Sequence, residues 1–385
     1  MTKKILFDLS VCQPIEHIKF HGGGVYGYIV FKQLCLDAPE KVIAYWDYTR
    51  FIDPSIKEII SQKNIISIDA HKKNIVESID EDVAAIYSPL YKDEYKQLFS
   101  LDIPVYITVH GLRKLEMNRD EYEIKYATSW KTKLKCLLKQ TPLYKFLWAK
   151  FYKEYALLLE QKNVNVVTVS HHSKNSILFH YPFFDTNKIK VFYSPSTTTE
   201  IAETLPVNMP KYYLIISADR WLKNALRAIE AFDKLFEKGK CKDGKVVVVG
   251  ASPKQKLIKH IRHKDCFVVK DYVDKQELES LLKGAYALVY PSLNEGFGYP
   301  PLEAMKYGTP VIASPFASIP EVCADSVVYA NPYSVDEIAL RIMYLNDDSV
   351  YQDYCNRARS RYDYIVKKQN EDLKKMIKFL LEKLE

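Results

Sequence analysis

Glycine is scarce in this chain: 12 of 385 residues, against 29 tyrosines. A backbone with few glycines has few places to turn through positive φ or to let another group approach closely, so each glycine cluster is informative. Paired cysteine spacing is also lacking. The seven cysteines, at positions 12, 35, 136, 241, 266, 323 and 355, are scattered without a CxxC. They argue against a disulfide frame and a zinc site, and read as reduced, packed thiols of a cytosolic protein. No run reaches the roughly 18–20 apolar residues that span a bilayer. The opening Met-Thr-Lys-Lys-Ile-Leu-Phe-Asp-Leu is too short in its apolar stretch for a signal peptide and reads as a first strand. Internal repeats and low-complexity segments are absent. The net charge of +7 is modest for this length and does not by itself indicate nucleic acid.

What is present is core-forming material. Hydrophobic residues make up 48% of the chain, enough for two domains of ordinary size. Short β-branched runs alternate with helix-like runs in both halves. The first half offers Ile5–Leu9, Val42–Tyr45, Ala84–Tyr87, Val105–Val109, Val164–Val169 and Ile189–Phe192. The second offers Tyr213–Ser217, Val246–Val249, Cys266–Val269, Ala287–Tyr290, Val311–Ala313 and Val327–Tyr329. Runs that are apolar throughout suit parallel strands covered on both faces. The fold class expected is α/β, with two doubly wound, Rossmann-like domains. A polar, proline-bearing stretch from Ser194 to Pro210 is the best linker, which sets the domains at 1–205 and 206–361.

The segment Pro291–Glu303 combines features that carry chemistry. It follows an apolar strand, contains the turn Gly296-Phe297-Gly298 and a Pro300-Pro301 pair, and leads into a helix read over 302–308. Pro301 suits the first helical position and Gly308 the stop. A strand, glycine turn and helix direct backbone N–H groups at an anion. Glu295 in the turn and Glu303 in the first helical turn suit hydroxyls, which donate strong hydrogen bonds to carboxylates. The implied ligand has an anionic middle and hydroxyl-rich ends, as a sugar nucleotide does. A glycosidase carboxylate pair is the alternative, with groups roughly 5–10 Å apart around one bond. Asp80-Glu81-Asp82 precedes a strand and reads as a solvated turn, and no metal is needed if cationic side chains and helix N-termini neutralise the anionic middle of the ligand.

The string Glu295-Gly-Phe-Gly298, Pro300, Leu302-Glu-Ala-Met305, Gly308-Thr-Pro-Val-Ile312 and Ser318-Ile-Pro-Glu-Val322 resembles the retaining glycosyltransferases of the GT-B fold with their E-x7-E motif. The resemblance implies two domains facing across a cleft, with the C-terminal helix, 362–385, crossing back to the first. It implies that Glu303 holds the ribose hydroxyls and Glu295 the transferring sugar, beside Gly296, Phe297 and Gly298. Arg220 and Lys223 would stabilise the leaving diphosphate, although the gap between them is shorter than is usual in the family. His110 would contact the sugar, with Gly111 where the family often has Asp. The cluster His21-Gly22-Gly23-Gly24 would close over the diphosphate. Gly250 and Val269 would border the nucleotide, with Asp271 replacing a usual glycine. Arg113 is a candidate acceptor or phosphate contact. The donor would be UDP- or GDP-linked, no cofactor or metal would be required, and the acceptor would be a glycan or lipid-linked. Adjacent His171 and His172 fall in a helix-capping element.

Residues 125–153 hold eight lysines and no Asp or Glu, interleaved with Trp130, Leu134, Trp148 and other apolar residues. Trp130, Lys133 and Trp148 stand for two readings: docking to an anionic membrane surface at the inner face, or an apolar face packed on the first domain with solvated lysines. No nucleic-acid module accompanies this segment. Two other functional classes remain open, a sugar-nucleotide hydrolase or epimerase on the same scaffold and a non-catalytic glycan-assembly scaffold.

Overall fold

The structure, a computed structural model, describes residues 2–14, 22–117, 119–197, 211–241, 244–251, 256–382 and 384. His21 and residues 198–210, most of the expected linker, lie outside them. Two parallel sheets organise the chain. The first contains β1 Lys4–Asp8, β2 Val42–Trp46, β3 Ile66–Asp69, β4 Val83–Ser88, β5 Val105–Val109, β6 Val164–Thr168 and β7 Ile189–Val191, in the order β3-β2-β1-β4-β5-β6-β7. The second contains β8 Tyr212–Ile215, β9 Lys245–Val249, β10 Phe267–Lys270, β11 Ala287–Tyr290, β12 Val311–Ala313 and β13 Val328–Tyr329, in the order β10-β9-β8-β11-β12-β13. Both sheets are doubly wound, as expected. Strand order reverses between β1 and β4 and again between β8 and β11, and such reversals open a crevice at the carboxyl ends of the strands.

The central strands are buried on both faces, which explains their unbroken apolar character. Strand β3 escaped the sequence reading because its residues, Ile66-Ser-Ile-Asp, form a largely solvent-facing edge. The helix after β11 is Tyr299–Met305 rather than 302–308, with Gly298 at φ 105 as its cap and both prolines near its start. Glu303 therefore lies beyond the first helical turn. The last helix, Asp348–Glu382, begins well before residue 362.

The chain divides into two compact units: residues 1–112, 152–199 and 366–385, and residues 113–151 and 200–365. Residues 113–151 thus group with the second sheet, whereas the sequence boundaries placed them in the first domain. The reason is a set of side chains that bind this excursion to the helix Ala225–Glu237. The Asp120 carboxylate accepts two hydrogen bonds from the Arg227 guanidinium, at 2.8 and 2.9 Å. The Leu226 amide donates to the Tyr126 hydroxyl at 2.9 Å. Within the first unit, the final helix residues bind the end of that sheet: Gln369 Nε2 donates to the Ser194 carbonyl at 2.5 Å and the Tyr193 amide to Asp372 at 3.0 Å.

Gly22 to Gly24 form the first turn of the helix Gly22–Asp37. A Cβ at Gly23 would lie 2.7 Å from Leu90, so close packing accounts for that glycine. Gly27, one helical turn on, is tighter: its Cβ would overlap Cys12 Sγ and sit 2.7 Å from the stiff Pro89 ring. Gly27→Ala is expected to destabilise the protein by about 1–3 kcal/mol through overpacking, read as a lower urea midpoint with an unchanged slope.

Candidate functional site

The loops after β8 and β11 flank the strand-order reversal of the second sheet. After β8 the chain passes through Ser217 at φ 54, a short 3-10 turn Trp221–Lys223, and Asn224 at φ 59. Gly250, after β9, has φ 82, and a Cβ there would lie 3.2 Å from Ser217 Cα. Its amide lies 3.0 Å from the Lys270 carbonyl and 2.9 Å from that of Asp271. Gly250 is thus needed where two strand-end loops touch. Val269 is half-buried within β10.

After β11, Glu295 is buried, not a solvated loop residue. Its Oε1 accepts from the Lys223 ammonium, from the Tyr290 hydroxyl at 2.6 Å and from the Ser292 hydroxyl at 2.6 Å. The Ser318 hydroxyl donates to the Glu295 carbonyl at 2.9 Å and fixes the backbone. Burial pushes the Glu295 carboxyl up, but the charge of Lys223 and the three side-chain donors outweigh it, and the group lies below its ordinary value. For Lys223, burial outweighs the attraction of Glu295, and Arg220 and Arg113 add repulsion, so its ammonium is held below the usual lysine range. Burial and the nearby Glu295 charge keep the Tyr290 proton in place, as a donor requires.

Arg220 differs from its neighbour. It is exposed, and its guanidinium donates to Ser217 Oγ at 3.1 Å. Arg113 starts the short helix Arg113–Glu116 and is also exposed. Arg113, Arg220 and Lys223 line one cavity of about 370 Å³, walled further by Tyr126, Cys136 and Trp221. The excursion 113–151 therefore contributes to the pocket beside Lys223. The buried Gly296-Phe297-Gly298 turn follows Glu295. Glu303 is half-buried, and its carboxyl is pushed above the ordinary value, first by burial and then by the charge of Glu279.

Sequence reading passed over Tyr290, Ser292 and Asp120. Tyr290 and Ser292 flank the apolar strand end and carry no motif of their own, and Asp120 pairs across 107 residues. In the first unit, His110 directly follows β5. Its Nε2 lies 3.0 Å from the Pro89 carbonyl, which only accepts, so this nitrogen carries the proton. The Tyr26 and His110 rings form a T-shaped pair with centroids 4.8 Å apart, and the Ser173 hydroxyl donates to the His110 carbonyl at 3.3 Å. Gly111 follows at φ 146. Among the described residues, no three His, Cys, Asp or Glu side chains are grouped to hold a metal ion.

Residues 196–362 match the family model for glycosyl transferases of group 1. The chain is 33% identical over 188 residues to the O-antigen chain mannosyltransferase RfbU of Salmonella typhimurium, covering 48% of this chain and 51% of that one. It is 47% identical over 79 residues to the O-antigen chain mannosyltransferase B of Escherichia coli, covering 20% of this chain and 21% of that one. The matched stretch spans about half the length of the first relative and about a fifth of the second. The fold is similar to that of a sucrose-phosphate synthase from Thermosynechococcus elongatus, with a TM-score of 0.68 over 99% of this chain and 98% of that one at 14% identity.

The two glutamates carry opposite pH signatures. Glu295, held low, contributes stability that is present above the ordinary carboxylate pKa and lost as pH falls through its folded value. Glu303, held high, contributes stability that is present below the ordinary pKa and lost as pH rises through its folded value. Glu303→Gln is therefore expected to melt above the wild type at neutral pH, with the gap closing as pH falls through the carboxylate range. Glu295→Gln leaves the buried Lys223 ammonium without its counter-charge and is expected to cost roughly 3–5 kcal/mol at neutral pH. Thermal melts across pH check both signs.

Proposed function

We propose, on the match of residues 196–362 to the group 1 glycosyl transferases, that the chain moves a sugar from a nucleotide donor to an acceptor hydroxyl during assembly of a cell-surface polysaccharide or glycolipid. Mannose is the first sugar to test, because both curated relatives above carry that name. The donor is a UDP- or GDP-linked sugar. The observation that carries the reading is the convergence of Arg113, Arg220 and Lys223 on one cavity, with the Glu295 carboxylate bound to Lys223.

The chemistry asks for that arrangement. As the bond between sugar and diphosphate breaks, negative charge grows on the leaving group. Fixed cations in a partly dehydrated site stabilise this charge where it develops. An arriving diphosphate would also relieve the mutual repulsion of Lys223, Arg220 and Arg113. Glu295 receives its three side-chain donors on Oε1, so Oε2 is the oxygen assigned to a sugar hydroxyl. Glu303 is assigned to the ribose hydroxyls, whose hydrogen bonds would favour its ionised form. The cations take the charge-neutralising part, so the reading needs no metal. Retention at the anomeric carbon belongs to the same proposal, with the leaving phosphate accepting the acceptor proton on the same face. The acceptor is assigned to the first unit, where His110 follows β5.

Calorimetric titration with GDP- and UDP-linked sugars, followed by transfer assays, tests the proposal. One nucleotide family is expected to bind, with affinity weakened roughly tenfold in Glu303→Gln by loss of charge-assisted hydrogen bonds. Arg220→Ala, at an exposed position, is expected to keep the melting temperature and lower kcat about 10²–10³-fold. The product anomer, read by NMR, is expected to keep the donor configuration. Donor turnover without transfer to any acceptor would assign a hydrolase instead. The absence of binding by every nucleotide sugar would leave the scaffold reading.

A further inference from the structure

The helix Trp130–Lys139 wears its apolar stripe on the outside. Trp130, Leu134, Leu137 and Leu138 recur at the spacing of one helical face. All four are exposed, and the one buried residue of this helix is Cys136. The stripe continues through Leu143 and through Phe146 in the following helix Tyr144–Leu159. Exposure across these six ranges from 40% at Leu138 to 75% at Phe146. Lys131, Lys133, Lys135, Lys145 and Lys150 stand exposed among them. The whole of residues 124–153 carries no acidic side chain. A packed globular helix hides such a stripe. This one presents it with exposed lysines along its length.

We propose that this surface docks on an anionic lipid bilayer. Apolar side chains, with Trp130 among them, would enter the boundary between headgroups and acyl chains while the lysines meet lipid phosphates. Among the described residues no helix is long and apolar enough to cross a membrane, so the mode is attachment in the interface plane. Charge decides between this occupant and the others. A second copy of the chain, related by a twofold axis, would press lysines against lysines. The core of a protein–protein interface is depleted of lysine, whereas an anionic leaflet rewards each one. The Lys139 ammonium, by contrast, is bound to Glu123 at 2.5 Å and plays no part in the surface.

The test is co-sedimentation of the full chain with vesicles of phosphatidylcholine, with and without phosphatidylglycerol. Its readout is independent of sugar transfer. Binding to the anionic vesicles at low salt is expected, with steep weakening as salt is raised. Replacing Lys131, Lys133 and Lys135 together by Gln is expected to lower the partition coefficient roughly a hundredfold. Trp130→Gln with Phe146→Gln is expected to weaken binding at every salt concentration. All five positions are exposed, so the melting temperature of each variant checks that folding is intact. Absence of binding at low salt, or equal binding to neutral vesicles, would overturn the proposal. Self-association of the wild type that disappears in Trp130→Gln with Phe146→Gln, without vesicle binding, would assign the surface to a second copy.

Discussion

Asn224 joins the two loops on which the candidate site stands. It sits in left-handed backbone between the turn Trp221–Lys223 and the helix Ala225–Glu237. Its side-chain amide donates to the Pro291 carbonyl at 3.0 Å and the Pro332 carbonyl at 2.6 Å. Its Oδ1 accepts from Arg227 at 3.0 Å. A non-glycine residue in left-handed backbone carries a cost of roughly 1–2 kcal/mol. Buried hydrogen bonds, each contributing about 1 kcal/mol net, offset it. The backbone reversal at Asn224 also marks where the Lys223 turn gives way to the helix. The segment beginning at Pro291 carries Glu295. With the Leu293 amide and the Ser292 hydroxyl, which donate to the Leu222 carbonyl at 2.8 and 3.1 Å, this side chain holds the loop after β8 and the loop after β11 in a common frame that contains the Lys223–Glu295 pair.

That pair is weak evidence for stability. Removing both charges from water costs several kcal/mol per ion, and apolar residues of similar volume often serve the fold as well or better. Here the ammonium faces further repulsion from Arg220 and Arg113. The cavity wall also carries Asp219 and Glu123, the latter held by Lys139, so carboxylates partly balance the three cations. On the functional reading, the missing balance is a diphosphate, and Glu295 keeps Lys223 fixed while the site is empty. A preorganised cation needs no reorganisation when charge develops, which is where electrostatic catalysis gains most. Tyr290 and Ser292 serve the same end by donating to the same carboxylate oxygen that binds Lys223.

Much of this was legible in the sequence, for identifiable reasons. Parallel strands buried on both faces need unbroken β-branched runs, so nearly all of them stood out, and β3 was missed because its surroundings do not demand that pattern. The string from Glu295 to Glu303 was readable because few residue types satisfy a glycine turn, a proline-bearing helix start and two carboxylates at once. The helix boundary moved by three residues because Gly298, not Pro301, ends the turn. Three features were out of reach. The pairing of Asp120 with Arg227 joins distant positions that have no pattern in common. The close packing at Gly23 needs the position of Leu90. The grouping of residues 113–151 with the second sheet depends on side-chain contacts that chain order hides.

The excursion also shows why periodicity alone left its surface undecided. A 3.6-residue apolar repeat identifies a face but not what covers it. The answer lies in how the segment is attached. The Arg227 guanidinium stacks 3.7 Å from the Tyr122 ring centroid while pairing with Asp120. The Tyr122 hydroxyl donates to Glu230 at 2.5 Å and the Lys125 ammonium to the same carboxylate at 3.1 Å. The attachment is polar and aromatic, and it is concentrated in residues 120–126, ahead of the helix Trp130–Lys139. The leucine stripe of that helix is therefore not needed to hold the segment in place. An apolar face exposed on this helix, with lysines along it and no acidic residue in 124–153, is the observation on which the membrane proposal rests.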